Sequence, residues 1–206
     1  MSSREVIQTI CAELGSVLRP EGFRRRAYTF TRQGEQVASL VDVRRLPAHR
    51  ARTVDVFMCD VHYGVAILEL IGRELNRMPG PLGTADLHWS HRLESDEQPD
   101  GWWVIESVED APLVARRIAL SIQERVLPAL AKVQTKEAIM NFWLAGGNAY
   151  LSIPRRTVCL GYLLAQASRW DELDKLRAAA EGSIFDDESL AWALKKLDEF
   201  RADRAP

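Results

Sequence analysis

Several things are scarce or missing in this sequence, and each absence closes off a class of protein. Only three of its 206 residues are cysteines, Cys11, Cys59 and Cys159. They are far apart and each has an apolar neighbour, which excludes a disulfide framework and reads as three buried thiols in a reducing compartment. Long apolar runs are also missing. The longest uncharged stretch, residues 138–154, is broken by Asn141, Gly146, Gly147 and Asn148. That falls short of the roughly 20 apolar residues a membrane span requires. Glu13 soon follows the first residues and no apolar leader core precedes it, so no secretory signal is expected and a cytoplasmic location is. Neither sign of charge dominates. Twenty-seven basic and 29 acidic residues leave a net charge of −2, which excludes a wholly basic nucleic-acid protein.

Chemical signatures are equally sparse. No Gly-x-Gly-x-x-Gly follows a predicted strand. Gly80-Pro81-Leu82-Gly83 is broken by proline and lacks a following Lys-Ser or Lys-Thr, and Gly146-Gly147-Asn148 reads as a helix stop and turn. No Gly-x-Ser-x-Gly elbow is present, so no catalytic residue and no cofactor is assigned.

What is present has the balance of an ordinary globular chain: 47% hydrophobic and 27% charged residues. The length suits one domain, or one domain with an appendage. Ser2 and Glu5 have capping-box spacing ahead of Val6, Ile7, Ile10, Cys11, Leu14, Val17 and Leu18, which recur at helical intervals until Pro20 and Gly22. The period then changes to that of strands, over 23–32, 36–46 and 53–63. In the third, Val54, Val56 and Met58 share one face and Phe57, Cys59 and Val61 the other, as in a central strand covered on both sides. A short helix is predicted over 65–77, a loop over 78–83, and strands over 86–93 and 102–108.

Helices follow. Asp110 and Pro112 suit a helix start whose stripe is Leu113, Ile118, Ile122, Val126 and Leu130, and Pro128 should kink or end it. Thr135 can cap the next helix. Residues 155–168 and 171–181 read as a helical hairpin, and 187–202 as a last helix. The fold class is α+β: an antiparallel sheet of about five strands with an N-terminal helix, then a helical C-terminal part. A domain over 1–146 is expected, with a helical extension over 147–206 packed on it.

The residues Leu18, Gly22-Phe23-Arg24-Arg25 and Thr29-Phe30-Thr31-Arg32, followed by strands over Val37–Arg45 and Thr53–Val61 and a later Val126-Leu127-Pro128, resemble a bacterial family known as "domain of unknown function 4304". The resemblance covers roughly residues 5–135. It departs at Val43-Arg44-Arg45-Leu46, where that family would carry a Gln-Lys-Ser-like run. It implies the fold outline and brings no activity, catalytic residue or cofactor.

Two spacings suggest metal ligands, Cys59-x-x-His62 and His88-x-x-His91. Both fall in predicted strands, where residues three apart point to opposite faces, so no metal site is assigned. Asp60, His62, His88 and His91 form a speculative polar cluster that could supply acid and base groups on one sheet face.

Charge placement is more informative. Residues 19–52 carry nine arginines, no lysine and three acids, a surplus of six positive charges that leaves eight negative in the remainder. Residues 94–110 carry seven acids and no base. Arginine offers planar bidentate pairing to carboxylate or phosphate. Three uses compete for the candidate binding residues Arg24, Arg25, Arg26, Arg44, Arg45 and Arg50: neutralisation by the acidic segment, an acidic protein partner, or nucleic acid. Nucleic acid is disfavoured, because only Tyr28 and Phe30 offer aromatic stacking nearby. Leu160-Gly161-x-x-Leu164-Ala165 and the following helix resemble one unit of a helical repeat, too few for a solenoid.

The expectation is a non-enzymatic protein-interaction module, immunity-like or adaptor, with an acidic protein partner and no membrane. The alternatives are an enzyme of unknown class using the Asp/His sheet face, and nucleic-acid binding through the arginine-rich strand edge.

Overall fold

Six apolar residues at three- and four-residue spacing, Val6, Ile7, Ile10, Cys11, Leu14 and Leu18, form the buried stripe of helix α1 (Ser3–Leu18). Gly22 ends the turn after it, at a φ of +83° that other residues rarely adopt. The computed structural model describes residues 3–46, 57–74, 81–107, 109–147, 151–182 and 187–202. The chain divides into two units, Met1–Gln134 and Thr135–Pro206. The helix over residues 136–144 thus groups with the C-terminal helices, whereas the sequence reading puts it in the first domain.

The first unit is built on an antiparallel sheet. Its strands are β1 (Arg24–Arg26), β2 (Thr29–Gln33), β3 (Val37–Arg45), β4 (Phe57–Ile67), β5 (Trp89–Arg92) and β6 (Trp103–Ile105). The first five lie in sequence order, and β6 pairs with β4 alongside β5. The single strand expected over 23–32 is a hairpin. Ala27 turns the chain at a φ of 52°, and Arg26 comes to lie opposite Thr29. No glycine marks that turn, so period alone runs through it. Residues 53–56 lie outside the described residues.

β4 is central. It pairs with β3 from Val37↔Ile67 to Arg45↔Cys59 and with β5 and β6 on its other side. It continues to Ile67, and helix α2 (Leu68–Glu74) begins only there, later than the helix expected from residue 65. β3 supplies the reason: Val37 reaches Ile67 in the ladder, and pairing overrides helical spacing. Gly64 sits where β5 passes closest, and a Cβ there would lie 2.3 Å from the Trp89 carbonyl oxygen and 2.9 Å from Ser90 Cα.

One sheet face is apolar: Phe30, Val41, Val43, Cys59, Val61 and Val65 are fully buried. Each such aliphatic or aromatic side chain stabilises the fold by about 1.5–3 kcal/mol. Helix α1 touches β3 and packs along α3 (Ala111–Ser121), which also touches β6. The other face is divided. At one end Leu40, Ala66 and Leu87 form a small cluster covered by Ile71 and Leu82. At the other end it carries charge.

Asp110 precedes α3 as predicted, but its carboxylate does not cap the helix. It accepts a hydrogen bond from Ser107 Oγ at 2.7 Å. Pro128 does not end the helical path. A π-turn over Ile122–Val126 precedes α4 (Leu127–Ala131), and Leu127 N–H reaches back five residues to the Ile122 carbonyl. The wider turn accommodates the proline ring.

The second unit holds α5 (Lys136–Leu144), α6 (Ile153–Gln166), α7 (Trp170–Glu181) and α8 (Asp187–Ala202). Thr135 caps α5 as expected, accepting from Ala138 N–H at 3.1 Å. Residues 157–164 of α6 are all buried. Gly161 lets α8 approach closely, since a Cβ there would lie 2.1 Å from Leu197 Cδ2.

Replacing Gly64 with alanine is expected to cost about 1–3 kcal/mol, the usual penalty for overpacking. Gly83→Ala, whose Cβ would meet nothing closer than 3.8 Å, should leave stability nearly unchanged. Urea melts of the two variants check this.

Candidate functional site

The charged half of the outer sheet face follows from strand register. Directly paired residues share a face, so Arg26, Thr29, Asp42, His62 and Arg92 form one row across β1 to β5. Arg44 and Asp60 form the next. Asp42 accepts from Thr29 Oγ1 at 2.6 Å and from Arg44 Nε at 2.8 Å. Asp60 meets His62 Nε2 at 2.6 Å and Arg92 Nε at 3.9 Å. Arg92 also donates to Glu94 Oε1 and to the Asp100 carbonyl, both at 2.8 Å. Such half-exposed pairs contribute about 0–1 kcal/mol each. Their main effect is to fix where charge lies.

The speculative polar cluster is only partly assembled. Asp60 and His62 are in contact. His88 is fully buried, and its Nδ1 accepts the Ile67 backbone N–H at 3.0 Å, so the ring serves the sheet. His91 pairs with Tyr63 on the opposite face from His62. There it packs edge-on to Trp89, with ring centroids 4.6 Å apart. Burial holds its imidazole below the ordinary histidine range. Cys59 is likewise across the sheet from His62. Among the described residues, no three His, Cys, Asp or Glu side chains group as metal ligands.

The arginines sort into distinct states. Arg25 donates to the Ala27 carbonyl at 2.7 Å and lies 6.0 Å from the centre of the Phe30 ring. Arg45 lies 5.9 Å from the centre of the Phe57 ring. Arg44 is held by Asp42. Arg50 lies outside the described residues. Arg24 and Arg26 are exposed on the edge strand, and neither has a carboxylate partner among the described residues.

The acidic segment neutralises other groups. Glu94 takes Arg92, Glu97 takes Arg117, and Asp96 takes Arg125, which also donates to the Glu94 carbonyl. These arginines come from β5, α3 and the π-turn. Among the described residues none of the basic strand segment 24–45 is paired with the acidic segment. Arg117 and Arg125 had no signal in strand patterning. Only tertiary contact reveals them.

The second unit has a cleft of about 310 Å³ between α5 and α6, lined by Lys136, Glu137, Met140, Leu163, Gln166 and Arg169. Arg169 is committed there: it donates to Glu172, which raises its basicity, and to Asn141 Oδ1 at 3.2 Å.

Comparison with family models, with curated proteins and with solved structures finds no match to this chain. Among the described residues no helix is long and apolar enough to cross a membrane.

All three thiols are buried. Burial pushes Cys11 up to about 11 and Cys59 higher still, with Asp60 and Cys11 adding to the effect at Cys59. A thiol reagent should therefore modify none of them in the native protein and all three in urea, as mass spectrometry can count. His91 generates a pH prediction. Its folded pKa is depressed, so below about 6.5 the unfolded chain takes up a proton that the folded one resists. Stability should fall as pH drops through that value. His91→Phe should flatten this part of the profile, as denaturant midpoints measured between pH 7 and 5 will show.

Proposed function

We propose that this chain is a non-enzymatic protein-interaction module, immunity-like or adaptor, that recognises an acidic partner through the arginine-bearing edge of its sheet. One observation carries the reading. Arg24 and Arg26 stand exposed on the edge strand without carboxylate partners among the described residues, while Glu94, Glu97 and Asp96 of the acidic segment take Arg92, Arg117 and Arg125. Unpaired guanidinium groups on a fixed strand are ready for bidentate contact with carboxylates. They also raise the rate of encounter with a negative surface. Membership of the family that residues 5–135 resemble belongs to this proposal, as does a cytoplasmic setting.

Nucleic acid fits less well. A phosphate-tracking stripe needs several unpaired cations in line, and Arg44, the next along this face, is held by Asp42. The enzyme reading is favoured by the 2.6 Å contact of Asp60 with His62, in which a carboxylate orients an imidazole as it does for a general base. It lacks the other two histidines, one buried in the sheet and the other across it. If that pair carried catalysis, His62→Asn would abolish a turnover found in the native protein.

The interaction reading predicts that Arg24→Glu combined with Arg26→Glu abolishes capture of an acidic partner from its own cells while leaving the circular dichroism spectrum and melt unchanged. The control Arg45→Glu, placed on the opposite sheet face, should retain capture. Undiminished capture by the double variant would overturn the proposal.

A further inference from the structure

The backbone at the edge says more about what an acidic partner must look like. The Tyr28 carbonyl accepts from Val43 N–H at 3.1 Å. Along β2 the backbone groups alternate sides, so Tyr28 and Phe30 address β3, and Thr29 and Thr31 address β1. Arg26 lies opposite Thr29 and Arg24 opposite Thr31, so both direct their backbone groups to β2. Arg25, opposite Phe30, turns its N–H and C=O outward. One group on each side of it is taken: Phe23 N–H donates to the Leu18 carbonyl, and the Ala27 carbonyl accepts the Arg25 side chain. No strand pairs beyond β1 among the described residues. The open edge thus centres on Arg25, with an arginine side chain on either side of it that has no carboxylate partner among the described residues.

We infer that the partner segment is an extended acidic strand that adds to β1 at Arg25, with carboxylates at alternate positions facing Arg24 and Arg26. This rests on the arginine-edge reading and specifies its geometry. A residue pairing with Arg25 forms two backbone hydrogen bonds. The residues before and after it fall opposite Arg24 and Arg26 and point to the same face as those side chains. Residues two apart along a strand are about 6.6–6.8 Å apart, so alternate carboxylates match the spacing of the two guanidinium groups. The middle residue lies on the face of Arg25 and Phe30, where an apolar side chain is accommodated best. The recognised pattern is acidic–apolar–acidic. Adjacent acids would place one carboxylate on the wrong face. So short a ladder gives a weak complex in which side-chain charge supplies most of the specificity.

The test uses the full chain and three fluorescent peptides: Ser-Glu-Val-Glu-Ser, the isomer Ser-Glu-Glu-Val-Ser, and the first peptide N-methylated at valine. Anisotropy at low salt should show the alternating peptide binding about ten-fold tighter than its isomer, with N-methylation removing that advantage. Arg24→Glu with Arg26→Glu should weaken both unmethylated peptides. Equal binding of the two isomers, or no effect of N-methylation, overturns strand addition; if the double variant still weakens them, the arginine edge itself stands. Failure of every peptide to bind, or binding indifferent to the double variant, overturns both.

Discussion

The first unit depends on the pairing of β4. This strand is hydrogen-bonded to β3 along its described length and to β5 and β6 on its other side. A strand alternates its side chains strictly, so its placement assigns every residue to a face at once. Cys59, Val61 and Val65 enter the core while Asp60 and His62 emerge among Asp42, Arg44 and Arg92. A register slip of one residue would bury two charged or polar groups and expose the apolar set. The absence of a side chain at Gly64 belongs to the same constraint, because β5 pairs where any Cβ would meet its backbone.

Electrostatics are arranged by that register and by the helices after it. The chain is nearly neutral, and its charges are compensated locally. Asp42 and Asp60 each meet donors from two strands. The acidic turn after β5 is met by arginines that arrive from α3 and the π-turn. Exposed pairs of this kind add little to stability. Their consequence is subtractive: they remove Arg44, Arg92, Arg117 and Arg125 from the cations available to a partner. In the described part of the arginine-rich segment, Arg24, Arg25 and Arg26 follow one another on a three-residue edge strand, without carboxylate partners among the described residues. Charged, short edges also discourage indiscriminate strand pairing, which suits a surface meant for one kind of partner.

Much of the architecture was legible. The α1 stripe, the antiparallel order of β2, β3 and β4, the Thr135 cap and the last helix follow from spacing and capping chemistry that act over a few residues. The failures share a cause. The turn at Ala27 uses a left-handed residue without glycine. The extension of β4 to Ile67 is imposed by β3, and the π-turn before Pro128 depends on how a continuing helix absorbs a ring. Of the candidate site, the arginines on β1 were readable as a cluster, but the partners that set Arg44 apart from Arg24 and Arg26 were not. Asp60 and His62 were readable as near neighbours by alternation. The removal of His88 into the sheet and of His91 to the opposite face was not.

The sequence by itself determined an α+β chain with a sheet before its helices, buried thiols, and a concentration of arginine beside a concentration of acid. These are composition, period and local capping, which act through neighbours in the chain. Only the tertiary structure decided which charges meet. An ion pair depends on distance in space, and Arg117 reaches Glu97 and Arg125 reaches Asp96 from 20 or more positions away in the chain. That long-range pairing leaves Arg24 and Arg26 as the exposed cations of the sheet edge.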